Sequence, residues 1–502
     1  MTIINCIKIK ELGLFSEFFL AITTIYVIMF NLLLLRLKRN KFFLAQDLNL
    51  NLNFLILFLT VFLLLNNDFK FLNYSSFYFT TNHNYFAFIT KLFVILLSVF
   101  FLIIIKSELK FQKINRFEYI VLFLFSVLGF LFLITAADLI IAYLSIELQS
   151  LAFYVLTSFT RNSNYSVASG LKYFVLSSLT SAFFLFGCSF VYGILGTLNF
   201  QELRVLCFLK IFNGFYVDLL QFSLLFILIS LLFKLTAAPF HFWVPGIYEG
   251  APTTSVIFFT VLPKIGIFVL MLRFYYHSFY YLIDFWKFYI ILASIISVFV
   301  SSIGGLEQRK LKTLLVYSGI GHMGYLLLLV GSVTIKATQI LLIYLFVYKV
   351  SSICIWFIIL ITKLKTNKGQ KQSRDLSNLT QLKKSNLPLA VITIFSLFSI
   401  AGLPPLVGFL PKASVFLFAL KFSFYFPIIL LAFFSIIATF YYLRIVKVIF
   451  FEKVLVGQLY YPISKSQAFI ISTFMYFLVF TFIVPNLLHL ATYEFLFAVF
   501  YL

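Results

Sequence analysis

Long apolar runs, separated by short polar stretches, repeat along almost the whole sequence. Most of them are close to the roughly 20 residues that an α-helix needs to cross a bilayer. They are continuous rather than alternating with a period of two, which argues against the strands of an outer-membrane barrel. The pattern therefore predicts an all-α polytopic membrane protein with about 14 transmembrane helices. The runs lie at 13–35, 50–66, 86–105, 118–134, 138–158, 167–193, 218–243, 251–273, 279–303, 311–331, 336–362, 387–420, 423–450 and 466–490.

The composition excludes a water-soluble globular protein. Hydrophobic residues make up 63% of the chain and charged residues 11%, whereas a soluble domain has about 45–50% apolar and about 25% charged residues. With 20 Gly and 11 Pro, a disordered or fibrous chain is also excluded. The 71 Phe, with abundant Ile, Asn, Lys and Tyr, are typical of an AT-rich genome and bear on the coding compartment only.

The charge pattern predicts an orientation in the membrane. The chain has 38 Lys and Arg against 16 Asp and Glu, a net charge of +22. Basic residues cluster after odd-numbered runs and are scattered elsewhere, so we place the odd-numbered loops on the cytoplasmic or matrix side. This explanation makes nucleic acid unnecessary as a partner. The basic clusters lie at 36–41, 106–116, 309–312, 363–384 and 444–465.

Other features of the chain point to one integral membrane domain over residues 1–502. The only long hydrophilic segment, 363–385, is too short to form a domain of its own. The four cysteines are scattered, without a CxxC pair or a neighbouring histidine, so we expect neither a metal or iron–sulfur site nor a disulfide framework. They are Cys6, Cys188, Cys207 and Cys354.

Ionisable residues inside the apolar runs are the strongest functional signal. A charge at the centre of a membrane helix costs about 2.5–3.5 kcal/mol on insertion scales, and such residues commonly mark ion or proton pathways. One acid, Glu147, lies near the middle of its run. Three lysines, Lys91, Lys172 and Lys349, either snorkel to the interface or serve local structure or transport. The other lysines inside runs are Lys234, Lys264 and Lys412.

These last three lysines lie beside helix-breaking prolines. Proline removes a helical hydrogen bond, and non-helical backbone at membrane depth survives only where it is buried in protein or lines a cavity. Broken helices that carry a charge at mid-membrane are typical of transport sites. The segments are FKLTAAPFHFWVPG at 233–246, VLPKIGIF at 261–268 and AGLPPLVGFLPKASVF at 401–416.

Runs seven and twelve combine an interior lysine with nearby prolines and are five helices apart. They therefore cross the membrane in opposite directions, as an inverted five-helix repeat requires. Desolvation can lower the pKa of a lysine by up to about 3–5 units, to a range where protonation is reversible near neutral pH. Movement of Glu147 toward or away from Lys234 could then switch whether the lysine holds its proton.

Two histidines are candidate proton relays because imidazole titrates near neutral pH. His241 follows Lys234 by one to two helical turns. We place His322 at the start of run ten, where it is either a relay or an interfacial hydrogen-bond donor. A structural role for either histidine stays open.

Four stretches of the sequence resemble a known family, the antiporter-like subunits of respiratory complex I, and most closely the subunit 2 family of NADH:ubiquinone oxidoreductase. The motif YEGAPT after HFW, and LPK around Lys412, are similar to that subunit rather than to its sister subunits. The matching stretches are 146–200, 233–268, 304–328 and 401–416.

The resemblance implies fourteen helices in two inverted five-helix repeats, with broken helices near Lys234 and Lys412. It implies N-terminal helices at 13–134, a first repeat at 118–273, a second at 279–450 and a C-terminal helix at 451–502. Carried over by position, Glu147 is similar to the acid of the fifth helix and Lys234 to its partner in the seventh. Lys264 is similar to the central lysine of the eighth helix and Lys412 to the terminal lysine of the twelfth. Lys172 is similar to the lysine of GLKYF and is a further candidate proton relay. Lys349 has no counterpart.

The resemblance also implies a proton-translocating subunit of the NADH:ubiquinone reductase without a cofactor of its own. NADH, FMN, iron–sulfur clusters and ubiquinone would belong to other subunits. Expected partners are other membrane-arm subunits, especially another antiporter-like subunit and small membrane subunits, together with lipids. The expected location is the mitochondrial inner membrane, with mitochondrial coding; the alternative is a bacterial plasma membrane.

Two other functions remain open from the sequence. The first is a subunit of a multi-subunit cation/proton antiporter, which would use the same fold and the same charged residues. The second is a purely structural membrane subunit, in which backbone carbonyls satisfy the buried lysines.

Overall fold

The apolar runs form helices, whose backbone hydrogen bonds close within each segment as a bilayer requires. The computed structural model describes residues 12–37, 42–66, 74–77, 79–112, 114, 116–209, 214–366, 369–372, 375–380, 382–452, 460 and 462–500. Cys6 and parts of the basic loops, including Lys38 and Arg39, lie outside the described residues. The α-helices are α1 Phe15–Leu37, α2 Phe42–Leu65, α3 Tyr85–Phe111, α4 Phe117–Thr135, α5 Leu139–Thr157, α6 Asn164–Leu195, α7 Phe200–Phe208, α8 Gly214–Leu235, α9 Trp243–Gly250, α10 Thr253–Arg273, α11 Ile283–Leu306, α12 Leu311–Ser332, α13 Ile335–Ile361, α14 Leu382–Ser385, α15 Leu387–Ala401, α16 Phe409–Lys421, α17 Tyr425–Phe450, α18 Lys465–Ile483 and α19 Asn486–Phe500.

The number of membrane spans confirms the sequence prediction. Within the described residues, 13 helices are long and apolar enough to cross a membrane. The remaining run, 387–420, forms the shorter α15 and α16 with a non-helical stretch between them that contains Pro404 and Pro405. The seventh run is interrupted in the same way, because α8 ends at Leu235 and α9 begins only at Trp243. Both predicted broken helices are therefore present.

Two short antiparallel hairpins lie between helices. Strands β1 (Tyr74–Ser76) and β2 (Thr81–His83) pair with Ser75 opposite Asn82, within the stretch that precedes α3. Strands β3 (Lys363–Thr366) and β4 (Gly369–Gln372) pair within the long hydrophilic linker. Both hairpins lie in connections between the apolar runs, outside the spanning segments. The all-α assignment of the spanning part is therefore confirmed.

The chain divides into two compact units. Unit 1 contains Met1–Lys234, Gly250–Phe285 and Phe497–Leu502, and unit 2 contains Leu235–Glu249 and Trp286–Leu496. The predicted single membrane domain and the boundaries of its repeats stay predictions.

Small residues let helices approach closely within each unit, as in other membrane helix pairs. In unit 1, a Cβ on Gly129 of α4 would lie 2.9 Å from Leu148 and 3.1 Å from the Ser145 carbonyl of α5. In unit 2, a Cβ on Gly324 of α12 would lie 2.8 Å from the Ser294 carbonyl of α11. These contacts bring the backbones of neighbouring spans together.

A set of backbone hydrogen bonds, which we name the strap, joins three connections of unit 1. Ala137 donates from its N–H to the Thr80 carbonyl at 2.9 Å and accepts from the Phe200 N–H at 2.9 Å. Asn199 adds a side-chain hydrogen bond from Nδ2 to the Phe79 carbonyl at 2.8 Å. Burial raises the pKa of the neighbouring Asp138 carboxyl, against the effect of its hydrogen bond with Asn199. All three connections follow even-numbered runs, so the strap lies opposite the basic loops.

Candidate functional site

Glu147 and Lys234 form the centre of the site in unit 1. Glu147 lies near the middle of α5, and Lys234 in the last turn of α8, just before the helix breaks. Their side chains are close enough for a direct charge interaction, yet the Lys234 Nζ and the Glu147 Oε1 are both buried without a hydrogen-bond partner among the described residues. The other carboxylate oxygen, Oε2, accepts from the Ser150 hydroxyl at 3.2 Å. The pair therefore interacts electrostatically without a hydrogen bond that would fix the proton.

Lys264 is another lysine of unit 1 that lies inside a membrane helix. It lies in the middle of α10, directly after Pro263, and its side chain is buried. Proline at this position removes a helical hydrogen bond beside the ammonium group. Glu147, Lys234 and Lys264 thus belong to one unit, and their role in proton transfer stays a prediction.

Lys412 lies in the first turn of α16, directly after the break in the twelfth run. Its Nζ donates to the Ala401 carbonyl at the end of α15 at 2.6 Å and lies 5.6 Å from the centre of the Tyr325 ring. Gly402, in the left-handed conformation at φ 78°, contacts the lysine stem, because an added Cβ would overlap Lys412 Cδ. The C-terminal end of α15 is the negative end of its helix dipole, and it attracts the positively charged ammonium group of Lys412.

A chain of aromatic rings in unit 2 connects Lys412 with Lys349. Tyr325 stacks on Tyr344 with ring centres 6.2 Å apart, and the Tyr344 hydroxyl lies 2.9 Å from His322 Nδ1. His322 stacks on Tyr348 at 4.6 Å, whose ring centre lies 5.1 Å from Lys349 Nζ. Phenol and imidazole groups both donate and accept hydrogen bonds, so we name these six residues the relay cluster.

The positions of His322 and Lys349 in the relay cluster correct two predictions from the sequence. His322 is the twelfth of 22 residues in α12 and is buried, so its placement at the start of a run and at the interface is wrong. Lys349 is fully buried in the middle of α13. It cannot snorkel, because the interface is too many turns away.

The remaining predicted relay residues occupy different environments. Lys172 is exposed on α6, so it does not face the interior of this chain, and its role stays a prediction. His241 belongs to unit 2, in the stretch between α8 and α9. It is buried, and its Nδ1 has no hydrogen-bond partner within the described part of the chain.

Sequence reasoning missed a buried ionic cluster near the strap. Glu17, in the first turn of α1, forms an ion pair with Lys91 of α3, and both side chains are at most 3% exposed. Lys91 Nζ lies 3.5 Å from His83 Nδ1, and His83 Nε2 lies 3.1 Å from the Ser76 hydroxyl. Lys91 therefore serves local structure rather than snorkelling. An acid inside the first apolar run was the available signal for Glu17.

Arg273, at the end of α10, is the second basic residue of this cluster. It is buried, and its Nη1 donates to the Ala136 carbonyl at 3.4 Å. Burial, with the charges of Lys91 and Arg273, lowers the pKa of His83 well below its ordinary value. The imidazole is therefore neutral at physiological pH.

Comparison with known proteins assigns the chain to a family. The family model described as "NADH:quinone oxidoreductase/Mrp antiporter, TM" matches residues 136–439, more than half of the chain. The chain belongs to this family. The matched region of this NADH:quinone oxidoreductase/Mrp antiporter family member includes every site residue described above except Glu17, Ser76, His83 and Lys91 of the buried ionic cluster.

Within the family, the similar curated proteins are complex I subunits. The chain is 37% identical over 416 residues to "NADH-ubiquinone oxidoreductase chain 2" of Marchantia polymorpha, a match that covers 82% of each chain. It is 40% identical over 363 residues to "NADH-quinone oxidoreductase subunit N" of Pelagibacter ubique, covering 72% of this chain and 75% of the relative. The predicted resemblance to subunit 2 is therefore confirmed.

Chains in two solved membrane complexes share the fold. A chain of respiratory complex I from Thermus thermophilus matches with a TM-score of 0.76 and 24% identity, covering 94% of this chain and 98% of that one. A chain of the Mrp complex from Dietzia sp. matches with a TM-score of 0.81 and 17% identity, covering 98% of each chain. Both matches show that this fold occurs in chains of membrane complexes.

Proposed function

We propose that this chain is a proton-translocating membrane-arm subunit of an NADH:quinone oxidoreductase. The observation that carries the proposal is the pair of Glu147 and Lys234 beside a broken membrane helix, with the Glu147 Oε1 and Lys234 Nζ atoms buried. A buried ammonium group that interacts with a carboxylate, but is not hydrogen-bonded to it, can gain and lose a proton when their separation changes.

The electrostatic effect is large enough for this role. At a separation of roughly 6 Å and an effective dielectric constant of about 20, two unit charges attract by about 3 kcal/mol. Removal of this attraction changes the proton affinity of the lysine by about a hundredfold, since 1.36 kcal/mol is a factor of ten. Movement of Glu147 therefore loads or unloads Lys234. Lys264 in the same unit and Lys412 in unit 2 are the further proton carriers of the proposed pathway.

The redox chemistry is assigned to other subunits. In this proposal NADH, FMN, iron–sulfur clusters and ubiquinone bind outside this chain, which contributes proton transfer only. Its neighbours are another antiporter-like subunit and small membrane subunits. The Phe-rich composition supports mitochondrial coding and the mitochondrial inner membrane; a bacterial plasma membrane is the alternative.

A cation/proton antiporter subunit is the second candidate function. The similar fold of the Mrp complex chain from Dietzia sp. favours it, because the same buried charges could exchange a cation for a proton. The two functions differ in their energy source, which is electron transfer in one case and an ion gradient in the other.

The energy source can be measured on the intact complex that contains this chain. We expect proteoliposomes of this complex to acidify or alkalinise their lumen when NADH and a quinone are added, and to stop when a quinone-site inhibitor is present. A sodium gradient alone should produce no proton movement. Proton flux driven by sodium, without NADH oxidation, would support the antiporter and contradict the proposal.

A substitution at Gly402 tests the position of Lys412. Gly402→Ala is expected to reduce proton pumping per NADH by at least about tenfold, because the added Cβ displaces the Lys412 stem from its bond with the Ala401 carbonyl; a factor of ten corresponds to about 1.4 kcal/mol. Pumping per NADH is measured in proteoliposomes.

Gly196→Ala is a matched control for Gly402→Ala. Gly196 also has a left-handed backbone, at φ 74°, but an added Cβ there meets nothing within 4 Å. Both variants carry the backbone strain of about 1–2 kcal/mol for a non-glycine residue, and only one moves a lysine. Equal pumping by the two variants would show that the position of Lys412 is irrelevant.

A further inference from the structure

A cavity of about 670 Å³ opens in unit 1, at the ends of α4, α5 and α6 and beside the middle of α1. Its walls are mainly apolar side chains from α1, α4, α5 and α6. Ile28, Val121 and Val155 are among the lining residues. This volume lies in the range of about 300–1,000 Å³ that is typical of small-molecule sites. The cavity is therefore large enough to hold an apolar group.

The rim of the cavity is basic. Arg116 and Arg161 line it, and both are exposed. They lie in the connections after the third and fifth runs, on the side of the basic loops. Neither guanidinium forms an ion pair with another described residue. Glu118 is the acid among the lining residues, so two cations and one anion leave a charge of +1 at the rim.

The backbone adds a second attraction for an anion at the same place. Arg116 precedes the first turn of α4, and no side chain caps that end of the helix. The N-terminal N–H groups of a helix carry a partial positive charge and bind anions. The cavity thus combines two guanidinium groups, a helix N-terminus and an apolar wall. The charged groups lie at the level of the lipid headgroups, and the apolar wall lies toward the hydrocarbon.

We propose that this cavity binds one anionic phospholipid. The phosphate contacts Arg116, Arg161 and the start of α4, and one acyl chain lies against Ile28, Val121 and Val155. Basic pockets between membrane helices on the cytoplasmic or matrix side are where anionic headgroups bind. A free phosphate would contact the basic rim but leave the apolar side chains of the cavity uncovered. A phospholipid would cover both, so the basic rim and the apolar wall together favour a lipid. The proposal does not depend on the function of the chain in proton transfer.

The test uses the purified complex in bilayer discs of phosphatidylglycerol and phosphatidylcholine, followed by mild delipidation and native mass spectrometry. We expect phosphatidylglycerol to be retained preferentially. Arg116→Gln and Arg161→Gln should each lower its retention by about fivefold, since one basic residue near the surface changes binding by about that factor. Arg309→Gln, at an exposed basic loop residue outside the cavity, is the control and should bind as the unmodified complex does.

A second variant separates a lipid from other occupants. Val155→Trp fills the apolar wall and leaves both arginines in place, so it should also lower phosphatidylglycerol retention. Retention that responds to the arginines but not to Val155→Trp would mean that only an anion binds, and would overturn the proposal. Equal retention of phosphatidylcholine, or cross-linking of Val155→Cys to a neighbouring subunit instead of lipid, would overturn it as well.

Discussion

Lys234→Met is expected to abolish NADH-driven proton transport while the complex still assembles. Methionine is similar in length to lysine and packs well in apolar surroundings. The packing of α8 should therefore be kept, and only the ionisable group is lost. We expect pumping at least about a hundredfold lower, which corresponds to about 2.7 kcal/mol. Quinone reduction should fall as well if the two processes are coupled. The measurement compares lumenal pH change and NADH oxidation in the same proteoliposomes.

Lys336→Met is the matched control for this substitution. Lys336 is an exposed lysine in the first turn of α13, so its replacement removes one positive charge without changing the interior. Normal pumping by an assembled Lys234→Met complex would favour the purely structural subunit, in which the buried lysine transfers no proton.

Glu17→Gln is expected to destabilise unit 1 strongly. The Glu17–Lys91 pair is almost fully buried, and removal of one partner leaves an uncompensated charge in the interior. Such a loss costs about 3–5 kcal/mol. The expected results are a lower unfolding temperature of the purified complex and a smaller assembled fraction.

The double variant Glu17→Leu with Lys91→Met provides the control for Glu17→Gln. Replacement of both charges by apolar groups of similar volume is often close to neutral, so most of the lost stability should return. If the double variant is as unstable as the single one, the ion pair is not the reason for the loss.

The spans and their breaks could be predicted from the sequence because the bilayer imposes them. Backbone groups cannot remain unpaired in hydrocarbon, so length and apolarity alone locate the helices. Proline is a local signal for an interruption, and it located the breaks after Leu235 and Ala401. The cost of a charge at these positions also singled out Glu147 and Lys234. The two side chains interact electrostatically in unit 1, and their role in proton transfer stays a prediction.

The relay cluster could not be predicted, since hydropathy does not show which face of an apolar helix meets which neighbour. Nothing in the local sequence of α13 distinguishes the fully buried Lys349 from a lysine that reaches the interface. The contacts of His322 with Tyr344 and Tyr348 come from packing of α12 against α13. Likewise, Glu17 and Lys91 are 74 residues apart, and only the tertiary structure brings them together.

The strap has a mechanical consequence for unit 1. Its hydrogen bonds tie Thr80, Ala137 and Phe200 across three connections at one end of the helices, with the Glu17–Lys91 pair close to the same end. Each of these hydrogen bonds has to break before the helix ends that flank the connections can separate, so this end of unit 1 resists separation of its helices.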